Sequence, residues 1–276
     1  MQFFSKVLNF FINSSIHVAL AAFALGWVTL IEFDVPFSES VLYFIFFGTI
    51  TAYNFVKYFG LAKFHHRSLT NSLKQIQIFS FFAFLFMCYY AAQLELKTIV
   101  YVGVLGLVTI LYAIPFFPRK HFLDGNKNLR SISGMKIYII GIVWAGITVF
   151  IPLLNAGVSF GHDPIITFAQ RFLIVMVLVL PFDIRDMTYD HLKLGTLPQS
   201  IGLKRTKLIA YFTCIFIGLL QSFKFYSSDS FAISLYVTLL VIVVSVYFSN
   251  TNQGKYYASF WVEAIPIGWL ALLLLF

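Results

Sequence analysis

Charge is what this chain has least of. Only 11% of its 276 residues are Asp, Glu, Lys or Arg, where soluble domains average about a quarter. Acids are scarcest, with 11 Asp and Glu against 19 Lys and Arg and a formal net charge of +8. Hydrophobic residues make up 60% of the chain and aromatic residues 19%. So few polar side chains cannot cover that much apolar surface, which excludes a soluble globular domain. Cysteine is nearly absent too. Cys88 and Cys214 both lie in apolar runs, where they read as small buried hydrophobes rather than as a disulfide or a metal pair. In so apolar a chain the positive charge sets topology and meets anionic headgroups, so no nucleic-acid partner is expected.

What fills the chain is apolar runs of membrane-spanning length. Nine are readable, at 8–31, 41–57, 76–94, 98–115, 136–154, 165–182, 208–223, 230–248 and 256–276. The expected fold class is therefore an all-α integral membrane protein with nine transmembrane helices, and 1–276 forms one domain. The first run is too long for a signal-peptide core and reads as an uncleaved span. Connections alternate in charge: Glu32, Asp34, Glu39, Glu95, Asp163 and Asp229 fall on one side, and most Lys and Arg on the other. The positive-inside rule then puts the amino terminus in the cytoplasm and the carboxy terminus outside, as expected of a protein of the bacterial inner membrane.

Against this shortage of acids, three stand together in Asp183-Ile184-Arg185-Asp186-Met187-Thr188-Tyr189-Asp190. If the helix of the sixth span continues, 183, 186 and 190 share a face. Two readings are open. Hard oxygen ligands so crowded suit Mg2+ bound jointly with substrate phosphates; alternatively, this is a solvated helix end whose acids pair with Arg185 and Lys193. Pro181, one turn earlier, is expected to kink the span and aim the acids inward. Beyond them, Gly195-Thr196-Leu197-Pro198 breaks the helix, leaving a connection that could fold over the membrane as a lid.

Other polar groups are weaker signals. His65, His66 and Arg67 follow the second span, but adjacent histidines on a helix point apart, so a headgroup or phosphate contact is favoured over a metal. Glu263 lies within the last span, either on an acceptor pocket or bonded to a neighbouring helix. The 34 phenylalanines identify no ligand, since most face lipid or pack between helices. The ends of spans two and six can be laid over each other as a weak internal repeat.

Asp183 to Asp190, followed by Lys193-Leu194-Gly195-Thr196-Leu197-Pro198 and Ile201-Gly202, resembles the second aspartate-rich motif of the UbiA superfamily of intramembrane prenyltransferases. Leu111-Tyr112-Ala113-Ile114-Pro115, Leu129-Arg130 and Lys136 before Trp144 are similar to the middle of that family, and nine spans match its architecture. The resemblance implies that Asp183, Asp186 and Asp190 bind Mg2+ and serve catalysis, and that Arg130, Arg185 and Lys193 contact an isoprenyl diphosphate. It also implies a reaction in which the isoprenyl group passes to a small, possibly aromatic acceptor.

The family's first motif should fall at Asn54, and there only the asparagine matches. Phe55, Tyr58 and Ala62 stand where carboxylates are expected. Asn54 and Lys57 remain as candidate substrate-binding residues, Lys57 either standing in for a missing metal or snorkelling to headgroups. Two functions stay open: a membrane prenyltransferase, a transferase of alkyl groups other than methyl, and a degenerate, non-catalytic homologue that binds an isoprenoid or a partner protein. A transporter is disfavoured, because the charges gather at span ends rather than at mid-bilayer.

Overall fold

A computed structural model describes residues 2–62, 71–113, 134–187 and 195–275. Among these the chain is helical, with no strand. Its α-helices are α1 (Gln2–Asn13), α2 (Ile16–Glu32), α3 (Glu39–Ala62), α4 (Asn71–Ala91), α5 (Leu96–Ala113), α6 (Met135–Ala145), α7 (Ile151–Asn155), α8 (His162–Asp186), α9 (Leu197–Ile201), α10 (Leu203–Gln221), α11 (Asp229–Phe248) and α12 (Ile265–Leu273). A π-helical turn, Gly146–Phe150, joins α6 to α7, and a second, Tyr257–Val262, precedes α12.

Each of the nine apolar runs holds helix. Five spans among the described residues are long and apolar enough to cross a bilayer, six when the bent pair formed by α1 and α2 counts as one. The segments Leu96–Leu111 and Tyr257–Leu273 are shorter apolar helices. Helix is the expected solution, because a bilayer core offers backbone groups no water and each must be satisfied within its own segment.

The first run departs from a single straight span. It breaks at Ser14-Ser15 with a 55° bend, and Ser15 adopts a left-handed backbone with φ 65°. Hydropathy misses this break, since two serines barely lower the average of a long window. Helix α8 runs unbroken through Pro181 to Asp186. The Pro181 carbonyl accepts a 2.9 Å hydrogen bond from Gln253 Nε2, so this part of the turn is satisfied from the loop before the last span.

Helix α2 is the axis of the packing. Ala19, Ala21, Ala22, Ala24, Leu25 and Val28 are buried along it, and small residues let neighbouring helices approach where lipid offers no hydrophobic drive for association. At Gly26 a Cβ would sit 2.9 Å from Ile45 Cδ1 on α3, and at Gly141 on α6 one would sit 2.8 Å from the Phe172 ring on α8. The main core joins α2, α6, α8, α10, α11 and α12 through residues such as Leu25, Ile174, Ile217, Leu235 and Trp269. Exposed Phe81, Phe82, Phe86, Phe212 and Phe216 lie outside it, the arrangement of a bundle whose outer face meets lipid.

The bundle has two polar ends. At one, Thr167 near the start of α8 and Lys224 beyond α10 both reach Glu32 at the end of α2. At the other, Lys136 at the start of α6 meets Asp183 at the end of α8, and Lys57 near the end of α3 meets Ser15 just before α2.

Candidate functional site

The site is built at this second end, where α3 and α8 finish. Asp183 and Asp186 occupy the last turn of α8, three residues apart, on one side of the helix as the spacing requires. Asp183 is only 2% exposed and is held by Lys136 Nζ at 2.8 Å. Asp186 is chelated by its neighbour Arg185, whose Nε and Nη2 donate to the two carboxylate oxygens at 2.7 and 3.0 Å. Arg185 also lies over the Phe182 ring, 5.6 Å from its centre. Lys136 is the partner that sequence reading undervalued. A single lysine before an apolar run looks like a topology signal, and its pairing with an acid 47 residues away has no local signature.

At the end of α3 the polar residues are tied inward. Asn54 is 3% exposed; its Nδ2 donates to the Ser14 carbonyl at 3.0 Å and to Ser80 Oγ at 2.8 Å, and its Oδ1 accepts from Ser15 Oγ at 2.8 Å. Lys57 Nζ donates to Ser15 Oγ at 2.9 Å, and Tyr58 OH to the Asn13 carbonyl at 3.1 Å. All three side chains thus clamp the break between α1 and α2. The two serines there carry no motif signal in the sequence, and they turn Asn54 into scaffold.

Between these two helix ends lie two cavities. One, of about 420 Å3, runs between α2, α3, α5 and α6, with Lys57 and Thr49 on an otherwise largely apolar wall. The other, of about 210 Å3, is bordered by Lys136, Phe182, Asp186, Glu263 and Pro266. Tyr53, Ile140 and Trp144 line both. Trp144 Nε1 donates to Tyr53 OH at 3.0 Å, with the rings nearly perpendicular at 83°, so the shared wall is a locked pair of aromatic rings.

Asp190, Arg130 and Lys193 lie outside the described residues, as do His65, His66 and Arg67. Among the described residues no group of three or more His, Cys, Asp or Glu is placed to hold a metal ion. The donor set still fits one Mg2+ on the α8 side, because that ion takes one or two carboxylates and completes its shell with water and substrate phosphate. Asp183 and Asp186 supply such a pair. The α3 side does not fit a metal: Phe55 and Ala62 carry no oxygen ligand, and Tyr58 is turned to Asn13.

No family model matches the sequence, and no curated protein does. Solved structures do match in shape. A UbiA homologue from Archaeoglobus fulgidus bound to GPP and Mg2+ superposes with a TM-score of 0.62 at 13% identity, covering 94% of this chain and 95% of its own. The apo UbiA homologue from Aeropyrum pernix K1 gives 0.62 at 14% identity over 96% and 98%. A digeranylgeranylglyceryl phosphate synthase gives 0.56 at 16% identity over 98% and 96%. The resemblance carried by the acid-rich segment thus holds at the level of fold, end to end. This is an all-helical membrane bundle of the UbiA type.

Proposed function

We propose that this chain is a single-domain prenyltransferase of the UbiA superfamily, moving an isoprenyl group from its diphosphate to a small acceptor within the bundle. The observation that carries the reading is the placement of Asp186 and Lys136, paired with Arg185 and Asp183 respectively, on the wall of the smaller cavity, which shares an aromatic wall with the larger one. The cations oppose the charge that develops on a departing diphosphate, and in a water-poor site such preorganised charge is most effective. Asp183 and Asp186, with Asp190 from the segment beyond, are the Mg2+ ligands of this reading. When bound, the ion neutralises phosphate charge. Arg130 and Lys193 are assigned to the diphosphate as well.

The larger cavity takes the apolar tail, with Lys57 on its wall. The fixed Tyr53 and Trp144 rings keep water from the allylic carbon and present π faces to the positive charge it acquires. Asn54 holds α3 to the α1 and α2 break, a positioning role. The charge bias supports a cytoplasmic position for this end of the bundle, with the amino terminus inside and the bacterial inner membrane as host.

One observation favours a second reading. Phe55, Tyr58 and Ala62 remove the carboxylates that would complete a second metal position, as expected of a homologue that binds an isoprenoid without turnover. Proteoliposomes incubated with geranyl diphosphate and a panel of acceptors, with and without Mg2+, separate the two. Mg2+-dependent diphosphate release that is lost in Asp186→Asn supports the enzyme. Tight binding with no release from either protein supports the non-catalytic homologue.

A further inference from the structure

Glu263 is the acid that the diphosphate machinery leaves unused. It sits one residue beyond the π-helical turn Tyr257–Val262, and its own N–H closes that turn on the Ala258 carbonyl at 3.2 Å before Ala264 N resumes the ordinary pattern on Phe260. Such π turns shift the residues that follow around the helix axis and occur often at functional sites. The turn is braced from α2, where His17 Nε2 lies 2.9 Å from the Phe260 carbonyl and its ring stacks on that of Phe260 at 4.9 Å. Glu263 lines the smaller cavity together with Asp186 and Lys136. Unlike those of Asp183 and Asp186, its side chain makes no hydrogen bond or ion pair among the described residues. Lys57 and Arg185 stand within electrostatic reach. A carboxylate within a span is costly to keep, and one that faces a cavity with its oxygens uncommitted is arranged for a ligand that donates a proton.

Resting on the transferase reading above, we propose that Glu263 receives the acceptor, and that this acceptor is an uncharged, largely apolar molecule bearing a hydroxyl group. The chemistry of the cavity narrows the class. Ala21, Ile140, Leu178 and Val179 give it apolar sides, which fit a hydrocarbon or aromatic body. A carboxylated acceptor would place its charge beside Glu263, and an ammonium would add a cation where Lys57 and Arg185 already supply two. In the transfer step the C–O bond to diphosphate breaks with its electrons leaving on the diphosphate. The hydroxyl oxygen forms the new bond to the allylic carbon, and its proton passes to the Glu263 carboxylate. The step balances with donor and acceptor alone.

The probes are para-butylphenol and para-butylbenzoate, titrated against the full-length protein in phosphatidylcholine vesicles and followed by tryptophan fluorescence, since Trp144 borders the cavity. Wild type should bind the phenol at least about tenfold more tightly than the benzoate; Glu263→Gln should weaken the phenol about tenfold and strengthen the benzoate. With geranyl diphosphate as donor, Glu263→Gln should lower kcat for transfer to the phenol by about 100-fold, with little change in KM for the donor. A variant that keeps wild-type phenol affinity and still rejects the benzoate overturns the proposal, as does one with unchanged kcat. If the phenol preference depends on Glu263 but geranyl diphosphate neither binds nor reacts, the ligand site stands and the transferase reading falls.

Discussion

Where α2 stops and α8 starts, the polar side chains bond to one another and to backbone; where α3 and α8 stop, a similar set of residues surrounds cavities. At the first end Glu32 accepts from Thr167 and from Lys224, and the Lys224 and Glu32 side chains are only 1% and 2% exposed. Burial pulls the Lys224 ammonium below its usual range, and Glu32 pulls it back. Asp163 accepts from the backbone N–H groups of Phe225 and Tyr226 at 3.1 and 3.0 Å. Arg171, 1% exposed, donates to the Leu25 carbonyl at 2.8 Å and lies 5.1 Å from the centre of the Trp269 ring. These groups knit α2, α8 and the turn after α10 into a closed cap. At the second end Lys136 and Arg185 pair with acids, yet Asp186, Lys136, Lys57 and Glu263 all border open volume. Burial and charge alone therefore do not mark a site; charge beside a cavity does.

That contrast can be broken by substitution. The largest effect is expected at the closed end, where Lys224→Met leaves Glu32 buried without its counter-ion and should cost about 3–5 kcal/mol of stability. Thermal unfolding in detergent would show it, and adding Glu32→Gln should recover part of the loss. A cost below about 1 kcal/mol would mean that this end is solvated and the contrast is false. At the open end, Asp186→Asn should slow diphosphate release about 100-fold, near 2.7 kcal/mol in barrier, while stability moves by less than about 0.5 kcal/mol. Asn54→Ala sharpens the boundary between scaffold and site. It takes one hydrogen bond each from the Ser14 carbonyl, Ser15 Oγ and Ser80 Oγ, the two hydroxyls keeping Lys57 and the Ile76 carbonyl, so it should cost about 2 kcal/mol in stability and leave affinity for geranyl diphosphate within about twofold. The smallest change is expected from Lys57→Met, about 1 kcal/mol in geranyl diphosphate affinity, read as roughly a fivefold rise in Kd. No change at all would assign Lys57 wholly to the serine clamp.

The candidate site was legible in part. Asp183 and Asp186 stand out because acids are so few, and their spacing already puts them on one helix face. Arg185 was visible as their neighbour, though its chelation of Asp186 fits the helix-end reading as well as the metal reading. The pairing of Lys136 with Asp183 was not, since nothing in the residues around Lys136 refers to an acid on another helix. Asn54 drew attention through its likeness to a metal motif, but its hydrogen bonds reveal a clamp on a helix break that hydropathy had smoothed over. Glu263 was noticed as an intramembrane acid, with two roles left open; the absence of any partner among the described residues favours the pocket.

The sequence by itself determined that this is a helical membrane protein, which runs form its helices, and at which end its acids and cations gather. Those properties are local or additive: a bilayer tests each segment for length and hydropathy, and each connection for charge, nearly independently of the rest. Only the tertiary structure decided which charges pair, where the first span bends, and which polar groups meet open space. Such outcomes depend on helices far apart in the chain arriving side by side, and a cavity is a property of the packing that no single segment carries.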